Sequence, residues 1–499
     1  MEKLTQEIVP ILVLCVVIAA VVARLPRVDV GHTPGFLRRR VLNWVPLGLT
    51  YAFLYMGRYN MTVLKNVGGI AQHDFGNIDA WGSLVYGVSF LVNGPLADRI
   101  GGRRTILISA GGSLAANALI GLLWKTGAID GGATAALAAL FVLNMYFQSF
   151  GAVSIVKVNA SWFHLRERGT FGGIFGILIS LGLYFAFDWG TRIADAACPA
   201  CAPYSRRLPG ALPPAVADSQ ALAWLFLVPA AILAVFWLLS FLWVRDTPSQ
   251  AGLSDFDVED ASSGQSATRE PAVRVIVRLI KNPVILTIAI IELCSGFLRQ
   301  GILKWSGDFA SGTGAVTYVN RHWGMVSCIA GITGGMFAGV VSDHLFQSRR
   351  PPMSTVLYLI MLVGAIALIP LLGVPLAVSW IIAIMAMAII GVHGMLSGVA
   401  SQDFGGRLNT GVAVGLIDGF VYVGTAIQDQ VYGGFGNLLP EKGTAAAKLV
   451  ESWRAWPLAM VPVAAIGLAL SFRIWNARVV RPGEPARAQV MVRPPAASR

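Results

Sequence analysis

Long apolar runs recur along this chain at the length of a bilayer, and they constrain its fold more than any other feature. A hydrocarbon core about 30 Å thick requires roughly 20 apolar residues per helix. Runs of that kind start near Val41, Ile78, Thr105, Ala133, Thr170 and Ala221, then near Val284, Val319, Thr355, Leu376, Val412 and Trp453. With 55% hydrophobic and 13% charged residues, the chain cannot clothe a water-soluble surface. In lipid every backbone polar group must be satisfied internally, so an all-α polytopic membrane protein is expected.

The polar stretch between the sixth and seventh runs divides the chain. It contains Asp255, Asp257, Glu259 and Asp260, with serines and glycine, and reads as a solvated linker. The expected organisation is an extra N-terminal hydrophobic segment and basic loop (1–40), a six-helix half (41–245), a cytoplasmic linker (246–282), a second six-helix half (283–476) and a cytoplasmic tail (477–499). The segment Ile8 to Ala23 is expected to add a thirteenth span, with an interfacial or cleaved segment as the alternatives.

The formal charge of +12 falls as short clusters between apolar runs, without the continuous basic face that nucleic acid requires. Arg99, Arg103 and Arg104, Arg166 and Arg168, Arg349 and Arg350, and the tail with Arg473, Arg478 and Arg481 all fall on one side, which the positive-inside rule makes the cytoplasm. An inner-membrane protein with a cytoplasmic C-terminus is expected. The five cysteines have no metal-site spacing, so neither metal nor cofactor is expected. Cys198 and Cys201, in a loop on the opposite side, leave open a small disulfide or free thiols.

The halves repeat one another. Gly94-Pro-Leu-Ala-Asp98-Arg99-Ile-Gly101-Gly102-Arg103-Arg104 follows the second run, and Gly339-Val-Val-Ser-Asp343-His344, then Arg349-Arg350, follows the eighth. They lie about 240 residues apart, as Arg168-Gly-Thr170 and Asn409-Thr410-Gly411 do, which points to a duplicated six-helix unit. The first element resembles the signature of the major facilitator superfamily. That resemblance implies two six-helix halves around a central cavity, with Gly94, Asp98, Arg99, Gly101, Arg103, Asp343 and Arg349 acting in conformational change.

Arg58 lies inside the first run, in Tyr51-Ala-Phe-Leu-Tyr55-Met-Gly-Arg58-Tyr-Asn60, and Arg299 inside the seventh at the same repeat offset. A central arginine costs about 2.5–3.5 kcal/mol on insertion scales, so each should face a polar cavity. Two planar guanidinium groups across one cavity suit bidentate binding of a phosphate or carboxylate. The alternative is that each arginine snorkels or pairs internally, with Glu292 or Asp418 as partners.

The chain further resembles the organophosphate:phosphate antiporters, from about Val41 to Trp475. The resemblance rests on Tyr51, Tyr55, Arg58 and Asn60; on Gln148, Lys157 and Trp162-Phe-His-Leu-Arg166-Glu167-Arg168-Gly169; on Arg299-Gln-Gly301 through Lys304-Trp305-Ser306; and on Gly405-Gly-Arg407 and Gly411 to Gly415 up to Tyr422. It implies that Arg58 and Arg299 hold a phosphoryl group and that Tyr51, Tyr55, Gln148 and Tyr422 line the cavity. Lys157 is either an added cavity charge or a snorkelling lysine. Asp418 is a candidate for a substrate hydroxyl, a proton or Arg299. Phe90, Ile179 and Lys304 depart from the glycerol-3-phosphate pattern, which argues for a different or larger substrate, or for altered proton participation. The implied partners are a small organic anion and inorganic phosphate, exchanged by a monomer through alternating access, with no enzymatic chemistry. Proton-coupled organic-anion transport and phosphometabolite sensing are the alternatives.

Overall fold

The computed structural model describes Val16 and residues 32–130, 132–164, 167–199, 220–258, 271–346, 350–441 and 443–476. The expected N-terminal span, the C-terminal residues 477–499 expected to form a cytoplasmic tail, Cys201 and Arg349 lie outside these residues. The described residues are overwhelmingly helical, and long helices stand at each apolar run. They are α1 Pro34–Asn66, α2 Gln72–Ile100, α3 Gly102–Lys125, α4 Thr134–Asn159, α5 Arg168–Tyr184, α6 Trp224–Trp243, α7 Pro283–Leu303, α8 Trp323–Leu345, α9 Arg350–Leu371, α10 Pro375–His393, α11 Ser401–Tyr432 and α12 Ala455–Arg473. A π-helical segment, Phe185–Trp189, carries α5 onward into Gly190–Ala197, and another, Gly394–Ala400, joins α10 to α11.

Among the described residues, nine helices are long and apolar enough to cross a membrane. Neither α1 nor α2 is in that set, because Arg58, Asn60 and Lys65 interrupt α1 and Asp79 and Asn93 interrupt α2. These side chains are all buried, so the two helices put their polar groups inside the bundle. By contrast, Val235, Leu238 and Phe241 of α6 and Leu359, Val363 and Ile366 of α9 are exposed, as helices facing acyl chains require.

The halves meet along two seams. In the first, α2 packs on α11 with the backbones close together. A Cβ at Gly94 would come within 2.3 Å of the Gly411 carbonyl oxygen, and one at Gly415 within 2.4 Å of the Phe90 carbonyl oxygen. Small residues permit this approach where lipid supplies no hydrophobic force between helices. In the second, the Asp188 carboxylate of the α5 π-segment accepts from Gly324 N at 2.9 Å and Met325 N at 3.2 Å. It thereby satisfies orphan donors at the start of α8.

The linker is not uniformly irregular. Ala272–Lys281 is a short helix, and its Val275 and Leu279 pack with Ile285 of α7 and Val412 and Leu416 of α11. Cys198 is buried and disulfide-bonded, whereas Cys294 and Cys328 are free and buried.

Candidate functional site

Arg58 sits where α1 faces α2, α4 and α11, and it is 4% exposed. Its guanidinium donates to three side chains: Nε to Gln148 Oε1 at 3.1 Å, Nη1 to Tyr422 Oη at 2.6 Å and Nη2 to Tyr86 Oη at 2.9 Å. The ring of Tyr55 lies 4.5 Å from the guanidinium carbon, and that of Tyr86 4.8 Å. Tyr86 and Tyr422 stack with centroids 3.8 Å apart, so an aromatic box built from both halves encloses this cation. Tyr51 adds an edge-on contact to Tyr55 at 5.6 Å.

Behind the box lies a layer of amides. Gln148 Nε2 donates to Ser113 Oγ at 3.2 Å and Asn144 Oδ1 at 3.3 Å. Asn117 donates to Asn144 at 2.9 Å, Asn60 donates to Asn117 at 2.6 Å, and Asn144 Nδ2 donates to the Gly57 carbonyl at 2.8 Å. This network ties α1, α3 and α4 together and fixes the carbonyl that receives the Arg58 Nε proton.

Arg299 is equally buried but differently placed. Among the described residues its guanidinium forms no hydrogen bond, and its Nε is sealed from solvent without a partner. Tyr59, Tyr422, Tyr55 and Glu292 lie within its electrostatic reach, and Tyr55, Tyr59 and His393 feel both arginines. The two cations therefore share one buried polar centre.

Neither candidate acid makes an ion pair with Arg299. Glu292 Oε2 meets His393 Nδ1 at 3.1 Å, and Asp418 Oδ1 accepts from Ser397 Oγ. His393 also lies within electrostatic reach of Asp418. Glu292, His393 and Asp418 thus form a second group beside the arginines, contributed by α7, α10 and α11.

Lys157 pairs instead with Asp98 of the signature element at 2.6 Å. Asp98 also accepts from Gly411 N and Val412 N, both at 3.2 Å, and so joins α2 and α4 to α11. Gly101 has φ +89°, and a Cβ there would lie 2.5 Å from the Asp246 carboxylate, so glycine is required at this turn. Arg103 donates its backbone N–H to Asp246 at 2.7 Å and its side chain to the Phe241 carbonyl at 2.7 Å. Arg99 lies in the last turn of α2, Gly94 lies in the α2–α11 seam, and Asp343 falls on the last turn of α8.

Residues 47–428 match the family described as Major Facilitator Superfamily. The chain belongs to the major facilitator superfamily. Within that superfamily it is similar to the "Membrane sensor protein UhpC" of Escherichia coli (strain K12), with 24% identity, 84% of this chain and 87% of that protein covered. It resembles to the same degree the "Glycerol-3-phosphate transporter" of Bacillus subtilis (strain 168), 24% identical over 78% of this chain and 84% of the relative. Among solved structures, a bacterial homolog to the human lysosomal transporter Spinster, inward-facing and unoccupied, superposes with a TM-score of 0.61 at 15% identity. That alignment covers 88% of this chain and 97% of the other, and supports the fold alone. This superfamily member is accordingly a membrane transport protein.

Several site residues went unforeseen from sequence. Tyr59, Tyr86, Asn117, Asn144 and His393 were not singled out by the sequence analysis. A polar side chain in mid-span was the available signal.

Proposed function

We propose that this protein is a secondary transporter that exchanges a small organophosphate for inorganic phosphate by alternating access. It would lie in the inner membrane with twelve conventional spans, including α1, α2 and α8, and a cytoplasmic C-terminus. The observation that carries the proposal is the asymmetry of the arginines: Arg58 is held by three side chains, while Arg299 makes no hydrogen bond among the described residues. A buried guanidinium without an acceptor is costly, and a phosphoryl dianion offers it a planar, bidentate match. Arg58 supplies a preorganised half of the clamp, and Arg299 the half that gains most when the anion arrives. Tyr55, Tyr422, Gln148 and Tyr51 would surround the ligand from the first half and the α2–α11 seam. Asp98, with Lys157, would act at the cytoplasmic gate.

The names of several relatives refer to phosphorylated substrates, which supports the choice of phosphate over carboxylate. Counterflow of labelled phosphate in proteoliposomes tests it. Exchange that disappears in Arg58→Lys and Arg299→Lys is the expected result, and undiminished exchange in both overturns it. Saturable phosphate binding without flux would instead assign the site to sensing.

A proton-coupled organic-anion carrier is the second candidate, favoured by the contact of Glu292 with His393 beside Arg299. Uptake driven by a pH gradient without phosphate exchange would establish it.

A further inference from the structure

At the end of the bundle opposite the signature element, ionisable side chains from both halves close into one buried cluster. Lys65 of α1, Asp79 of α2, Lys304 at the end of α7, Asp308 of the short helix Ser306–Thr313 and Asp429 of α11 are exposed by 3%, 2%, 4%, 1% and 0%. Lys65 Nζ contacts Asp308 Oδ2 at 2.5 Å and donates to the Lys304 carbonyl at 3.1 Å. Lys304 Nζ bridges Asp79 and Asp429, the latter at 3.0 Å. The rings of Trp305 and Phe75 cover Lys65 at 4.3 and 4.5 Å. Of the other groups facing the cluster, Tyr59 lies within reach of Lys304. With its amide oriented to suit both neighbours, Gln428 donates to Asp429 Oδ1 at 3.2 Å and accepts from Trp305 Nε1 at 2.7 Å.

The charges do not balance. Among the described residues, three carboxylates stand against two ammonium groups, so the fully ionised cluster carries an unmatched negative charge in a buried site. Buried ions are tolerated when paired and penalised when not. Lys65 and Asp308 form one matched pair, and Lys304 serves two acids. We propose that the closed cluster holds one proton, shared by Asp79 and Asp429 around Lys304, so that this end of the transporter is a proton-binding gate. Opening it admits water, all three carboxylates ionise, and the proton leaves; closing takes one up. Acid therefore favours the closed outer end. The inference takes only the membrane orientation from the proposed function and does not require phosphate to be the substrate.

The test reads gate position without substrate. Spin labels at Ala128→Cys and Ala445→Cys, on exposed loops of the two halves at this end, report the separation in protein reconstituted into nanodiscs. One proton linked to closure changes the closed-to-open ratio by up to about tenfold per pH unit. The shorter distance should gain population between about pH 8 and about pH 5.5, a range below the lysine and near the carboxylate values. Asp429→Asn balances the charges permanently and should keep the short distance at both pH values. Asp79→Asn provides the same test should the first variant fail to fold. A wild-type distance distribution indifferent to pH overturns the proposal, as does a pH response retained by both variants. Because no transported anion enters the measurement, its failure would leave phosphate exchange untouched, and the failure of phosphate exchange would leave it standing.

Discussion

The Tyr59 hydroxyl lies 3.0 Å from Gln300 Nε2 and 3.3 Å from Gln300 Oε1, joining residues 241 apart in the chain. Each follows an arginine, Arg58 or Arg299, so equivalent positions of the two repeats touch each other. Side chains of α1 and α7 therefore meet one residue beyond each arginine. The proposed binding of one anion by both guanidinium groups leads to the following expected outcomes.

Arg299→Ala removes a buried charge that lacks a hydrogen bond, so the fold should lose little. The melting temperature in detergent should stay within a few degrees of wild type, while the stabilisation given by added phosphate disappears. Charge-assisted hydrogen bonds contribute about 1.5–3 kcal/mol, so phosphate affinity should fall more than about tenfold. Arg299→Lys should not restore it, because an ammonium cannot reproduce the planar fork.

Tyr422→Phe deletes the acceptor of the Arg58 Nη1 bond while keeping the ring that stacks on Tyr86. The guanidinium loses one of three anchors, and KM for the exchanged anion should rise about tenfold, a loss near 1.4 kcal/mol. Exchange kinetics in proteoliposomes measure it.

Asp98→Asn breaks the ion pair with Lys157 and weakens the acceptor for Gly411 and Val412. The site around Arg58 is untouched. Turnover should therefore fall severalfold or more, while phosphate binding, followed by thermal shift, stays at the wild-type value.

Lys304→Ala leaves Asp79 and Asp429 facing each other without their shared cation. Removing one partner of a buried ion pair typically costs about 3–5 kcal/mol, so the melting temperature should drop sharply. The triple variant with Asp79→Asn and Asp429→Asn should recover much of the loss, since neutral amides need no counter-charge.

Gly101→Ala forces a Cβ into a left-handed backbone and against Asp246. The conformation alone costs about 1–3 kcal/mol. Expression and thermal stability should decline, with residual protein still binding phosphate.

The sequence by itself determined the membrane environment, the helical class and the presence of two mid-span arginines, because each is written in local terms. A hydrocarbon core demands a fixed length of apolar chain, and a mid-span cation must turn inward. Tertiary structure alone decided which arginine is occupied and which is free. Gln148, Tyr86 and Tyr422 reach Arg58 from three helices, and hydropathy carries no record of which helix faces which. The same holds for Lys157, which pairs with Asp98, and for His393, which meets Glu292. The gate of Lys65, Asp79, Lys304, Asp308 and Asp429 was equally hidden, its members scattered over both halves. Burial in low dielectric sets the worth of a charge, and burial is known only once the helices have packed.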